Sequence, residues 1–355
     1  MAAGGFFIFM SASLGLLARE GARFSNVAFS QAFLGLFLGS IACFFTSRIN
    51  YRFWRQYSFY FFLASLILTL AVFIPGLGLD HGGARRWIVI GSFSIQTSEF
   101  LKIGFIMYLA AWLSGVKKQV ITMRYGFLPF VILTGVVGIV LLVQPDTDTF
   151  GILALTALAM YAVSGGRWRH IGLVLLVGIL SFAAIAYSRP YVMDRVMTFI
   201  HPANDQQGSS YQLNQSLIAI GSGKIFGRGF GQSVQKFSFL PEPIGDSIFA
   251  VMAEEWGFVG SIVLIFVYLF FTFRGMRIAM NSPDTFGGLL AFGIVILITA
   301  QSFWNIGAML GVLPLSGIPL LFVSHGGTAL FITLAEVGIV LNISRFQKKE
   351  RLERA

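Results

Sequence analysis

Apolar residues run along this chain in long blocks broken by short polar or glycine-rich stretches. Ten blocks stand out, at about 5–18, 28–46, 57–74, 99–114, 125–143, 150–164, 170–188, 247–272, 286–307 and 318–342. A helix that crosses a bilayer needs roughly 20 apolar residues, and most of these blocks approach that length. None alternates apolar and polar positions at a period of two, so they predict helices and not the strands of an outer-membrane barrel. The pattern predicts an all-α polytopic membrane protein: ten transmembrane helices with a large extracytoplasmic loop between helices 7 and 8. No internal repeat divides it. The chain reads as a single transmembrane domain over 1–355, with the loop at 189–246 and a basic cytoplasmic tail at 345–355.

Composition removes the other classes. Charged residues make up 11% of the 355 and hydrophobic ones 56%. Soluble domains carry roughly 25% charged residues, so a soluble enzyme, a nucleic-acid binder and a disordered chain are excluded. The net charge of +10 belongs to the membrane edges instead. One set of alternate short loops holds fifteen Lys and Arg, among them Arg48, Arg52, Arg55, Lys117, Lys118 and Arg124. The other set holds only Arg19, Arg23, Arg85 and Arg86. Cytoplasmic loops are the Lys/Arg-rich ones. Both termini are therefore expected inside, and 75–98, 144–149, 189–246 and 308–317 outside. The 189–246 segment is rich in Gly, Ser, Gln and Asn and has no apolar span; a loop this long is usually functional or unstructured. Cys43 stands alone, which rules out an intrachain disulfide and a Cys-based metal cluster. His81, His170, His201 and His325 are scattered, so no zinc site is legible.

Ionisable groups in or beside the spans carry the candidate chemistry, because they are costly there. Arg85 and Arg86 lie on the side that should be poor in basic residues. Their forked guanidinium groups suit phosphate oxygens, and Trp87 suits the headgroup region; an interfacial anchor accounts for the trio equally. Glu99 and Lys102 sit three apart at the start of a span and share a helix face. Thr97 or Ser98 capping that helix would explain Glu99, but not a lysine one turn into the bilayer zone. Asp246 ends the long loop behind Glu242, where helix capping is the plain alternative. Glu254 and Glu255 follow about 12 Å down the same helix and suggest a polar cavity opening outward. Gln144-Pro145-Asp146 reads as ordinary turn chemistry. Gly221-Ser222-Gly223-Lys224 lacks the spacing of a phosphate loop, and Gly227-Arg228-Gly229-Phe230-Gly231 has no βαβ unit around it.

Taken in order, these pieces resemble the SEDS family of bacterial membrane proteins, the FtsW/RodA/SpoVE group. The resemblance runs through Phe9-Met10-Ser11-Ala12-Ser13, Gly83-Ala84-Arg85-Arg86-Trp87-Ile88, Gln96-Thr97-Ser98-Glu99 with Lys102, and Gln144-Pro145-Asp146. It continues through Gln215–Gly223, Leu240-Pro241-Glu242 with Asp246 and Ile248-Phe249-Ala250, Asn305-Ile306-Gly307 and Gly317-Ile318-Pro319. Thr147-Asp148-Thr149 stands where the family has Leu-Gly-Thr, and His325 where it has tyrosine. The ending Gly338–Arg345 is similar to FtsW more than to RodA.

The resemblance implies a peptidoglycan glycosyltransferase that polymerises lipid II at the outer face of the bacterial cytoplasmic membrane, in division or elongation. It implies Asp246, Lys102 and Glu99 as catalytic, with Arg85, Arg86, Trp87, Glu242 and Glu254 as substrate-binding candidates. It also implies a class B penicillin-binding transpeptidase as partner, other divisome or elongasome proteins, membrane lipid, and no nucleic acid. A sugar hydroxyl needs a base, which Asp246 would supply. A departing pyrophosphate needs cations, which Lys102, Arg85 and Arg86 would supply. A divalent cation, Mg or Mn, would take oxygen ligands only; no other cofactor is implied. Two alternatives remain: a lipid II flippase and a structural scaffold. Buried charge weighted to the outer half, Glu336 apart, favours chemistry at that face.

Overall fold

A computed structural model describes residues 1–19, 21–81, 84–90, 93–200 and 209–353. Gly83 of the Arg-Arg-Trp motif, His201 with the rest of 201–208 in the long 189–246 segment, and Arg354 of the tail lie outside the described residues. The helices are α1 (Ala2–Arg19), α2 (Gly21–Phe29), α3 (Gly39–Arg48, after a π-helical stretch Ser30–Leu38) and α4 (Tyr51–Leu70). Three strands follow, β1 (Gly78–His81), β2 (Ala84–Ile90) and β3 (Phe93–Gln96). Then come α5 (Thr97–Val116), α6 (Leu128–Val143), α7 (Thr147–Val163), α8 (Trp168–Ser188), α9 (Pro190–Ile200), α10 (Ser209–Ser222) and α11 (Gln235–Ser238). The chain ends with α12 (Ile248–Met280), α13 (Thr285–Met309) and α14 (Gly327–Glu353). Among the described residues eight helices are long and apolar enough to cross a membrane; Ala2–Ala18 and Thr147–Val163 are shorter apolar helices. All ten predicted blocks overlap these helices. The surface is that of a chain in lipid: Ile179, Leu180, Phe266 and Phe270 are each more than half exposed. The protein is a multi-pass membrane protein.

Three expectations need correction. Loop 75–98 contains an antiparallel sheet of order β1-β2-β3, with Trp87 opposite Gln96 and Ile88 opposite Ile95. The β-branched run Ile88-Val89-Ile90 favours a pleated strand. The described part of the 189–246 segment carries three helices, α9, α10 and α11. The last span starts at Gly327 rather than 318. Its apolar lead-in, Ile318 to Val323, is irregular chain whose carbonyls are taken by side chains: Gln301 Nε2 donates to Pro319 O (3.2 Å) and Asn305 Nδ2 to Ile318 O (2.9 Å).

The chain forms two compact units. One comprises Met1–Phe33, Leu175–Phe270 and Thr299–Gly327; the other comprises Leu34–Val174, Phe271–Ile298 and Thr328–Ala355. In the second, α4 and α5 approach closely through small residues. A Cβ on Gly104 would lie 2.5 Å from Ser65 Oγ and 3.2 Å from Phe61 O, so a larger residue would force the serine to turn away; small residues at the contact are the usual way membrane helices pack. In the first, α12 breaks at Gly257, whose φ of 66° is left-handed. The break frees helix carbonyls that must be satisfied in a membrane. Arg228 and Gly229 N–H donate to the carbonyls of Glu254 and Glu255, each at 3.0 Å. The glycine run 227–231, which matched no nucleotide motif, serves this purpose: Gly227, Gly229 and Gly231 all have positive φ.

Candidate active site

In the second unit, Glu99 and Lys102 form a buried ion pair across the first two turns of α5. Lys102 Nζ lies 2.8 Å from Glu99 Oε1, and each side chain is only 4% exposed. The capping alternative is corrected here. Gln96 holds the N-cap position, no side chain caps the helix, and Thr97 and Ser98 are already helical. Glu99 and Lys102 therefore stay together in a dry setting where charge interactions are strong. An apolar groove of about 280 Å³ takes Phe100 and Ile103 from the same turns, with Trp54, Phe61, Leu68 and Ile332 from neighbouring helices.

Arg86 departs from the expected phosphate contact. From β2 it reaches the turn before α7, where its guanidinium lies 3.5 Å from Asp146 Oδ1 and donates to the carbonyls of Gln144 (3.3 Å) and Pro145. Asp146 is 2% exposed. Gln144 is buried and donates to Thr69 O at 2.6 Å. Arg86 and Gln144-Pro145-Asp146 thus tie sheet, turn and α4 together, and the turn is more than local Asx chemistry. Arg85 is exposed and Trp87 half-buried in the same strand.

In the first unit, Asp246 is half-buried in a turn that runs from Glu242, itself exposed, to the start of α12. Gly245 N–H (3.1 Å) and Ser247 N–H (3.2 Å) both donate to Glu242 O and close the turn. Because α12 begins at Ile248, Ser247 flanks the helix: its carbonyl accepts from Ala250 N–H at 3.0 Å. Asp246 lies one residue before Ser247, at the mouth of the helix.

Glu254 and Glu255 do not line an outward cavity. Three donors reach the Glu254 carboxylate, Ser233 Oγ (2.6 Å), Val234 N (3.1 Å) and Gln235 N (3.3 Å), and the Arg228 guanidinium pairs with it, Nε to Oε1 3.3 Å. Glu255 pairs with Lys236, Nζ to Oε1 2.7 Å, and accepts from Ser11 Oγ at 2.5 Å. Sequence reasoning missed Lys236, Ser11 and Ser233. The signal was present, since two adjacent acids inside a span require donors. Among the described residues no group of three His, Cys, Asp or Glu side chains gathers to hold a metal ion.

These features define a class: a polytopic membrane protein with a buried Glu–Lys pair on the helix that also lines an apolar groove in one unit, and a carboxylate on a braced turn in the other. The family profile described as "Cell cycle protein", the FtsW/RodA/SpoVE family, matches residues 1–349. The chain is 39% identical over 311 residues to stage V sporulation protein E of Bacillus subtilis, covering 88% of this chain and 85% of that protein. It is 39% identical over 313 residues to the probable peptidoglycan glycosyltransferase FtsW of Geobacter metallireducens, covering 88% and 83%. Among solved structures it resembles a chain of a peptidoglycan synthase complex that coordinates polymerization and crosslinking (TM-score 0.78, 27% identity, covering 96% and 95%). It also resembles the rod shape determining protein RodA of Thermus thermophilus (TM-score 0.69, 27% identity, covering 98% and 93%). The chain belongs to the FtsW/RodA/SpoVE family.

Proposed function

We propose that this chain is a peptidoglycan glycosyltransferase that joins lipid II units into glycan strands at the outer face of the cytoplasmic membrane. The observation that carries a lipid-linked pyrophosphate substrate is the buried Lys102–Glu99 pair on the helix that also lines the apolar groove. The groove suits hydrocarbon, and an ammonium on that helix suits a pyrophosphate. Asp246 is the base that takes the proton from the acceptor hydroxyl as it attacks the donor's anomeric carbon. Lys102, oriented by Glu99, and Arg85 neutralise the departing pyrophosphate. Inversion at that carbon needs a single displacement and no covalent enzyme intermediate. A class B penicillin-binding transpeptidase would cross-link the product; the synthase complex that this fold resembles supports a partner of that kind.

The flippase alternative has Glu336 on its side. This acid is 2% exposed within α14, and its Oε1 has no hydrogen-bond partner. Purified protein given lipid II in detergent, with and without the transpeptidase, separates the two: glycan on a gel supports the polymerase and its absence the flippase.

Lys102→Ala should lower polymerisation by about 10²-fold, the scale for losing one preorganised charge at a developing anion. Lys102→Arg should recover only part of it, since a planar fork does not replace a point charge. Full activity in a well-folded Lys102→Ala protein would leave the pair with a packing role alone.

The basic bias of the short loops supports a cytoplasmic C-terminus and an external 189–246. In a Cys43→Ala background, Lys224→Cys should react with an impermeant thiol reagent in intact spheroplasts. Ser344→Cys should react only after lysis, and the opposite pattern would overturn the external site.

A further inference from the structure

Three consecutive carbonyls of the Asp246 turn are each held by a donor from outside the turn. His325 N–H donates to Ile244 O at 2.7 Å. Ser324 Oγ donates to Gly245 O at 2.7 Å. Asn305 Nδ2 donates to Asp246 O at 2.8 Å. The donors are themselves fixed. Asn305 is 0% exposed in α13 and spends its second N–H on Ile318 O at 2.9 Å. Ser324 Oγ accepts from Leu320 N–H at 2.8 Å. Behind them stands Gln31, 1% exposed in the π-helical stretch. Its amide makes a reciprocal pair with the backbone, Nε2 to Ser324 O at 3.1 Å and Gly326 N–H to Oε1 at 3.0 Å.

A lone turn needs no such bracing. Turns on protein surfaces are satisfied by water, and their carbonyls tolerate movement. Here three carbonyls in sequence are pinned by α13 and by the 324–326 segment, and that segment is pinned in turn by Gln31. The only acid on the three pinned residues is Asp246.

We infer that Asn305 and Ser324 are positioning residues for Asp246, with Gln31 as their backing, and that this clamp sets where the carboxylate points. The inference rests on the proposed role of Asp246 as base. It also explains why histidine is tolerated at 325: that position contributes its main-chain N–H, while its ring stacks on Phe9, centroids 6.1 Å apart.

A base displaced by about 1 Å costs on the order of 10²-fold in rate. Ser324→Ala and Asn305→Ala should therefore lower kcat by about 10- to 100-fold while leaving KM for donor lipid II within about twofold, because Lys102, Arg85 and the apolar groove are untouched. Ser324→Thr keeps the hydroxyl and should restore activity. Added to Asp246→Asn, neither substitution should lower the residual rate further, since residues acting through one group are not additive. Hydrogen–deuterium exchange gives a readout independent of activity: the peptide spanning 242–247 should exchange faster in both alanine variants than in wild type.

Unchanged exchange, or losses that multiply with Asp246→Asn, would overturn the clamp. If Asn305→Ala does not fold, Ser324→Ala decides alone, being a smaller change. If wild type makes no glycan, the function falls, and the exchange comparison still decides whether the turn is clamped.

Discussion

Asp246→Asn should leave a folded, lipid-binding protein whose glycan synthesis is down by about 10²-fold or more, the scale for losing acid–base help. Asparagine matches aspartate in size, and the backbone bracing of the turn from Glu242 to Ser247 does not depend on the carboxylate's charge. Asp246 O still accepts from Asn305, and Gly245 O from Ser324. What asparagine cannot do is take a proton from the acceptor hydroxyl. Asparagine caps a helix as well as aspartate does, so a capping role alone would leave activity near normal. The measurement is glycan length on a gel for wild type and variant, beside thermal melting of both. Near-normal glycan from a well-folded variant would falsify the base assignment while leaving the family membership intact. A variant that melts early would shift the loss from chemistry to folding, and Asp246→Glu, which keeps the carboxylate but lengthens its reach, then becomes the informative comparison.

The helices were legible because burial in lipid writes itself as uninterrupted apolarity. The Glu99–Lys102 pair was legible because charge at a span's edge is costly and three-residue spacing places both groups on one face. The sheet at 78–96 was not, because its short strands lie in a stretch whose polar and glycine breaks read as loop. Residues 318–326 were misread as the start of a span for the opposite reason. Ile318, Leu320, Leu321, Phe322 and Val323 are as apolar as any membrane helix, and apolarity does not reveal that Gln301 and Asn305 satisfy the backbone there. The same blind spot hid the clamp on Asp246, which is made of amide and hydroxyl groups. Such groups carry no cost in a hydropathy reading until their partners are known. Arg86 and Asp146 were each noticed, but their pairing joins residues 60 apart in sequence, a distance no local pattern spans.

Lys236→Met should be the most damaging substitution to stability in the 189–246 segment. Its ammonium group donates all three of its protons: to Glu255 Oε1 (2.7 Å), Gly231 O (2.9 Å) and Ser11 Oγ (3.3 Å). Ser11 in turn accepts from Gly231 N–H at 3.1 Å and donates to Glu255 Oε2. The network is complete, and lysine and glutamate side chains are 0% and 2% exposed. Removing the cation strands a carboxylate in a dry interior, which costs about 3–5 kcal/mol, whereas removing both members of a buried pair costs far less. The double variant Lys236→Met with Glu255→Gln should therefore melt closer to wild type than Lys236→Met does alone. Lys236→Arg should fall between, because a guanidinium keeps the charge but not the compact three-way geometry. Melting of the four proteins in one detergent tests this. A single variant as stable as wild type would mean that water already reaches Glu255, and the closed network would be wrong. The pair also joins α11 to α12 on either side of the Asp246 turn. A loss of stability confined to this pair should therefore loosen the turn first, and polymerisation by Lys236→Met should fail at temperatures below its melting point.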